Sequence, residues 1–179
     1  MTPAGSSYLR RLAGAVTLDA ETYEEVEADA GATPAALATV VLAAIATGIG
    51  LRAAGGAGGV ATLIGLALIG WAVWALLVFE IGARLFPSAM TRADVGQLLR
   101  TLGFAASPGL LNFLGLMPGA AVPVFAVTQV WTLLAIIVAV RQALDYTNTG
   151  RAIVVCAGAW ALSMALVLAT GFYFGPLVR

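Results

Sequence analysis

Lysine and histidine are both missing from this chain of 179 residues, and all nine basic side chains are arginines. Without histidine there is no imidazole to bind haem or zinc, and none to act as a general base. Without lysine the chain cannot form a Schiff base to retinal or pyridoxal phosphate, and it has no phosphate-loop lysine. The single cysteine, Cys156, cannot form an intrachain disulfide. We therefore expect no enzymatic activity, no metal site and no cofactor.

Charge is scarce as well, and long apolar runs take its place. Only 10% of the residues are charged and 61% are hydrophobic, with a mean hydropathy of +0.98. Soluble domains carry about 25% charged residues. Because this chain cannot cover a water-facing surface, we expect lipid to be its solvent. The formal net charge is zero, so no basic field is available for nucleic acid.

The few charged residues divide the chain into apolar runs, each long enough to cross a bilayer, which takes roughly 20 apolar residues. The run between Arg100 and Arg141 holds 40 uncharged residues and has room for two helices, with a turn at Met117-Pro118-Gly119. Because lipid offers no partner for free backbone groups, the spans should be α-helical. The predicted fold is an all-α integral membrane bundle of five transmembrane helices over residues 33–179, preceded by a short cytoplasmic or interfacial segment, residues 1–32. The predicted spans are 33–52, 60–84, 98–117, 121–142 and 151–174.

Arginine placement predicts the orientation of this bundle. With the N-terminus inside, seven arginines fall on the inner side: Arg10, Arg11, Arg84, Arg92, Arg100, Arg141 and Arg151. Only Arg52 and Arg179 fall on the outer side, as the positive-inside rule requires. We therefore expect a multi-pass protein of a bacterial inner membrane with a cytoplasmic N-terminus and an outer C-terminus. A four-span alternative makes 105–117 a re-entrant or interfacial piece and weakens this asymmetry.

Two segments are predicted to lie at the membrane interface. Asp19 is predicted to cap a short acidic helix that extends to Asp29, with Leu18, Tyr23 and Val26 on one side. This helix is either a solvated helix end or a docking face for a basic partner. The second segment precedes the third span. It opens at Thr91 in a capping-box-like pattern, and it carries an apolar stripe of Val95, Leu98, Leu99 and Leu102. We expect it to lie on the inner surface, with Arg100 snorkelling.

Apart from Arg52 and Arg179, the remaining charged residues are predicted at the inner face. Glu80 is the one acid well inside an apolar run, and Arg84 is placed four residues later, where the two can pair. Arg141 and Asp145 have the same spacing. An acid within a membrane is a candidate proton or cation site, although Glu80 is near the inner end of its span. The candidate inner-face interaction residues are Glu80, Arg84, Arg100, Arg141, Asp145 and Arg151.

Within the spans, polar and small residues are the features that predict helix packing. Asn112, Gln129 and Ser163 are expected to form hydrogen bonds between helices. Small residues recur every fourth position along the first span, at Ala35, Thr39, Ala43 and Thr47. A face of this kind allows two helix backbones to approach closely.

Several stretches resemble bacterial members of the Yip family, the Ypt/Rab-interacting five-span membrane proteins. The similar segments include Thr22–Asp29, Ala32-Thr33-Pro34, Gly48-Ile49-Gly50, Gly70-Trp71, Leu99–Ala105 with Pro108-Gly109, and Val140–Tyr146 with Gly150-Arg151-Ala152. The resemblance implies five membrane helices and a cytoplasmic N-terminus. Eukaryotic relatives bind small Rab GTPases in vesicle traffic, a role that a bacterial-type sequence does not inherit.

From the sequence we expect a non-enzymatic scaffold or accessory subunit of a membrane protein complex. Its expected partners are membrane lipids and either other integral membrane proteins or a second copy of itself. The alternative is a carrier or channel for a small solute or ion that uses Glu80.

Overall fold

Helices account for all the regular structure in the residues described by the computed structural model, which are 4–51, 59–87 and 94–174. The seven α-helices are α1 (Ala4–Val16), α2 (Ala20–Ala28), α3 (Thr33–Gly50), α4 (Gly59–Phe79), α5 (Val95–Ala105), α6 (Ala121–Ala143) and α7 (Thr149–Phe174). Short 3₁₀-helical residues Ala30–Ala32 precede α3, a π-helical turn Glu80–Leu85 extends α4, and a 3₁₀-helix Ser107–Leu116 follows α5. The predicted all-α class is confirmed for these ranges.

Four helical stretches are long and apolar enough to cross a membrane: Ala30–Gly50, Ile64–Leu85, Ala121–Ala143 and Thr149–Leu166. They match four of the predicted spans, namely 33–52, 60–84, 121–142 and 151–174. The count of five is not confirmed, because residues 98–117 do not form one continuous α-helix. Arg52, Arg92 and Arg179, which contributed to the predicted orientation, lie outside the described residues.

The break after α5 has a local cause in the sequence. Pro108 has no backbone N–H, so it cannot donate to the carbonyl four residues earlier, and the residue before a proline is pushed away from the α region. The chain continues as a 3₁₀-helix of ten residues. Such runs seldom exceed three or four residues, so this one depends on its surroundings. Ser107, Pro108, Gly109, Asn112 and Gly115 are all buried within it.

Small residues bring this segment against α3. A Cβ placed on Gly103 would lie 2.8 Å from the Ala36 Cβ, and one on Gly109 would lie 3.3 Å from the Ala43 Cβ. At the far end the backbones of Gly50 and Gly115 meet, with a Cβ on Gly115 only 2.8 Å from the Gly50 carbonyl oxygen. The contacts advance along both segments in the same direction, so residues 95–116 run parallel to α3. Ala43 and Thr47 of the small face predicted on the first span meet this segment, whereas Thr39 bonds to the Tyr8 hydroxyl.

The N-terminal residues form a helical pair packed on the bundle. Asp19 caps α2 as predicted, because its carboxylate accepts hydrogen bonds from the Thr22 amide at 3.3 Å and hydroxyl at 2.6 Å. Tyr23 and Val26 are fully buried. The turn between α1 and α2 lies beside the middle of α6, where the Trp131 indole N–H donates to the Val16 carbonyl at 2.8 Å.

The stretch before the third predicted span is helical, but its apolar stripe is not placed as expected. Its helix begins at Val95 and is capped by Asp94, whose carboxylate accepts from the Gly96 amide while the Gln97 side chain accepts from the Asp94 amide. The predicted start at Thr91 lies outside the described residues. Two members of the stripe expected on the inner surface, Leu98 and Leu102, are instead buried in the bundle, each with only 1% exposure.

Candidate functional site

The turn between α6 and α7 organises one end of the bundle. Asp145 takes a left-handed backbone conformation, with φ of 51°, which Asp tolerates better than most residues. Its amide donates to the Gln142 carbonyl and the Tyr146 amide donates to the Arg141 carbonyl, both at 2.9 Å. These bonds close the last turn of α6 and direct Tyr146, which is 3% exposed, into the bundle.

The Tyr146 hydroxyl holds the π-helical turn of α4. It lies 2.9 Å from both the Gly82 and the Phe86 carbonyl oxygens and shares its one proton between them. A π-helical turn disturbs the regular backbone ladder, so a side-chain donor is needed where its carbonyls are buried. Burial raises the pKa of this phenol, which keeps it a neutral donor. We refer to Tyr146 and the charged residues around it, Glu80, Arg84, Arg141, Asp145 and Arg151, as the Tyr146 cluster.

The cationic side chains of the Tyr146 cluster remain exposed. Arg84 forms the predicted pair with Glu80, with a 2.9 Å contact between side chains that are 68% and 47% exposed. The Arg84 guanidinium also lies 5.8 Å from the Phe79 ring centroid, and that of Arg151 lies 5.8 Å from the Tyr146 ring centroid. Exposed ion pairs contribute little to stability. These charges are therefore available for binding.

The predicted pair of Arg141 with Asp145 is wrong. Arg141 instead donates to the Tyr146 carbonyl and to the Thr149 hydroxyl, each at 3.4 Å. The four-residue spacing assumed a continuing helix, but α6 ends at Ala143 and Asp145 has already left the helical conformation. Asp145 has no ion pair with a described residue.

Arg100 does not belong to the Tyr146 cluster, because its side chain binds backbone carbonyls of α2. Its Nε donates to the Val26 carbonyl at 3.2 Å and its terminal nitrogen donates to the Glu27 carbonyl at 2.5 Å. The expected snorkelling is wrong, because the residue is only 8% exposed. The guanidinium satisfies carbonyls that the C-terminal end of α2 leaves without helical partners, and its positive charge suits that end of the helix dipole. Arg100 therefore fastens α2 to α5.

Acidic residues of α2 extend the polar surface towards the Tyr146 cluster. The Gln142 side-chain amide donates to the Glu24 carboxylate at 2.7 Å. The pKa of Glu27 is raised to about 7, first by burial and then by the nearby charges of Asp145 and Glu24. Glu27 was not singled out from the sequence, because its neighbour Asp145 is distant along the chain. Glu25, also on α2, is neutralised within the chain, since Arg10 and Arg11 of α1 pair with it.

A second polar centre lies inside the bundle around Asn112. The Asn112 side chain donates to the Thr47 hydroxyl at 2.8 Å and accepts a 2.5 Å hydrogen bond from the Thr128 hydroxyl. This joins α3, the 3₁₀-helix and α6, and it confirms the predicted interhelical bonding of Asn112. Ser163 instead bonds to the Ala159 carbonyl of its own helix at 2.8 Å.

The polar groups of the Tyr146 cluster can bind a partner, and the hydrogen bonds of Tyr146, Arg100 and Asn112 hold the helices together. Within residues 4–51, 59–87 and 94–174, no group of three or more acidic or cysteine side chains is placed to hold a metal ion. The paired charges of the Tyr146 cluster suit contacts with another polar surface. Comparisons of the chain with protein-family models, curated proteins and solved structures find no match.

Proposed function

We propose that the chain is a non-enzymatic integral membrane protein that acts as a scaffold or accessory subunit of a membrane protein complex. The observation that supports this most directly is the continuous polar surface at one end of the bundle. It joins α2, the π-helical turn and the turn between α6 and α7. The Tyr146 hydroxyl fastens the backbone beneath this surface, and Arg100 holds α2 beside it. The charged side chains on it are the partly exposed Glu80 and the exposed Arg84, Arg141, Asp145 and Arg151. A preorganised charged surface loses little conformational freedom when a partner binds.

In this proposal the membrane arrangement has five crossings, with residues 95–116 as the third. The parallel course of this segment beside α3 supports the idea. Its length is sufficient, since 11 α-helical and ten 3₁₀ residues cover about 16 Å and about 20 Å respectively. The Tyr146 cluster is then on the cytoplasmic side of a bacterial inner membrane and the C-terminus outside, as the arginine distribution predicts. Membership of the Yip family is part of this proposal, on the segments that resemble it.

The test is recovery of the tagged full-length protein from its native membrane in mild detergent, followed by mass spectrometry and sizing. We expect a companion membrane protein in stoichiometric amount. A variant with Arg84→Gln and Arg151→Gln should lose that companion, because both guanidinium groups are exposed and neither fastens the backbone. Arg10→Gln, at a 61% exposed position on α1 outside this surface, is the matched control and should retain it, because Glu25 keeps its pair with Arg11. Recovery of the wild-type chain alone, from membranes in which it is abundant, would contradict the proposal.

The carrier or channel alternative has less support. Glu80 is already neutralised by Arg84 and lies at an exposed helix end. Two clefts among the described residues are lined mostly by apolar side chains. A flux across proteoliposomes that disappeared in Glu80→Gln would favour this alternative over the scaffold.

A further inference from the structure

Gln129 is an exception on the lipid-facing side of the bundle. It is exposed near the middle of α6, and its amide has no hydrogen bond to any described residue. A side-chain amide has two donors and an acceptor. Within a bilayer, groups of this kind find partners across helices because lipid chains offer none. Ser163 and Asn112 are both satisfied within the chain, so Gln129 stands apart from the other polar residues predicted there.

The residues around Gln129 have the spacing of a helix–helix seam. Val122, Ala126, Gln129 and Leu133 follow one another at intervals of four, three and four, which is the repeat of a left-handed coiled coil. All four are exposed, with Val122 at 74% and Leu133 at 47%. We call these four residues the α6 seam. A single polar residue in such a seam fixes the register and the number of helices that associate.

A cleft beside the α6 seam gives side chains of a second helix room to dock. It lies between α4, α6 and α7, and it has a volume of about 630 Å³. Gln129 and Leu133 line one wall, while Trp74 and Trp160 line others. The Thr132 hydroxyl, also in this cleft, is buried without a hydrogen-bond partner. Two polar groups that have no hydrogen bond to a described residue, the Gln129 amide and the Thr132 hydroxyl, therefore line one cleft.

We propose that a second copy of this chain occupies the cleft, with the two α6 seams packed together and the Gln129 amides hydrogen-bonded to each other. This deepens the proposed function and rests on it, since it names the partner of one membrane-facing surface. Two copies inserted in the same orientation are related by an axis along the membrane normal, so equivalent residues lie at equal depth. An amide both donates and accepts, and two Gln129 side chains at one depth are therefore self-complementary.

The first experiment maps the contact in proteoliposomes of the full-length protein. In a Cys156→Ala background, Ala126→Cys and Leu133→Cys should each form an intermolecular disulfide under mild oxidation. Equivalent seam positions approach within the roughly 4 to 7 Å between Cα atoms that a disulfide needs. Leu66→Cys on α4, which is 61% exposed, is the matched control and should stay monomeric. Equal crosslinking at all three positions would mean random collision and would overturn the inference.

The second experiment measures the strength of association by energy transfer between labelled copies as lipid is added. Gln129→Leu should weaken the dimer by about three- to thirty-fold, the range expected for loss of interhelical hydrogen bonding in a membrane. Gln129→Asn should recover most of the affinity, which shows that the effect is not misfolding. A wild-type chain that remains monomeric at every lipid ratio would refute the seam. If that monomer still recovered a different companion protein, the scaffold proposal would survive while this inference failed.

Discussion

Replacing Asn112 should loosen the contact between the 3₁₀-helix and its two neighbouring helices. Its two interhelical hydrogen bonds, to Thr47 and Thr128, would be lost in Asn112→Ala. Such bonds contribute about 0.6 kcal/mol on average and up to about 1.7 kcal/mol in membrane proteins. The two threonine hydroxyls retain acceptors in their own helices, at Ala43 and Val124, so neither is left unpaired. We expect a loss of about 1–2 kcal/mol in the free energy of unfolding.

The measurement is unfolding of the full-length protein in mixed micelles of lipid and SDS, followed by circular dichroism. A double-mutant cycle of Asn112→Ala with Thr128→Val isolates the bond itself. Ser163→Ala is the matched control, because that hydroxyl bonds only within its own helix and should cost less than about 0.5 kcal/mol. Strictly additive losses, with a coupling energy below about 0.3 kcal/mol, would refute the argument that Asn112 joins the helices.

Three further results are expected from the same unfolding assay. Gly103→Ala should lower the free energy of unfolding by about 1–3 kcal/mol, because its Cβ would meet Ala36. Gly65→Ala, whose Cβ would have nothing within 4 Å, should be neutral or slightly stabilising. Equal effects of the two substitutions would contradict the packing argument. Tyr146→Phe should cost about 1 kcal/mol through loss of its hydroxyl bonds, and amide exchange at the π-helical turn should quicken; unchanged exchange would exclude this role. The pKa of Glu27 is raised from an ordinary 4.5 to about 7, so the folded state holds a proton that the unfolded state has lost between these values. Stability should therefore fall as pH rises through about 7, and Glu27→Gln should flatten that fall; an unchanged pH profile would show that Glu27 is not responsible.

The helices were predictable because their signals are local. Apolar runs of sufficient length predict four of the spans, and Asp19 with its following residues predicts the capped helix α2. The small residues of α3 predict a close neighbour. The identity of that neighbour is not a local property. A Cβ at Gly103 or Gly109 would crowd Ala36 or Ala43, and this requirement for glycine is visible only in the folded structure.

The errors arise where tertiary contacts override a spacing rule. Arg100 falls on the helix where an arginine would snorkel in isolation, but the free carbonyls of α2 arrive from a distant part of the chain. Arg141 and Asp145 have the spacing of a helical pair, but the helix ends between them. Tyr146 was noted only as the last residue of a segment that resembles the Yip family. Nothing in the sequence indicates that its hydroxyl binds the carbonyls of a π-helical turn.

Insertion of the chain into a bilayer must take account of residues 95–116. During synthesis this segment emerges with Asn112 before α6 exists to supply the Thr128 hydroxyl. A buried amide side chain without its hydrogen-bond partners is costly within the bilayer, because lipid chains offer none. We therefore expect residues 95–116 to remain on the cytoplasmic side of the membrane in a chain truncated after residue 116. In a chain extended through residue 143, the same segment should insert into the membrane. The 3₁₀-helix and α6 would then enter the membrane together, as one hairpin, and a reporter that shows residues 95–116 crossing alone would exclude this order of assembly.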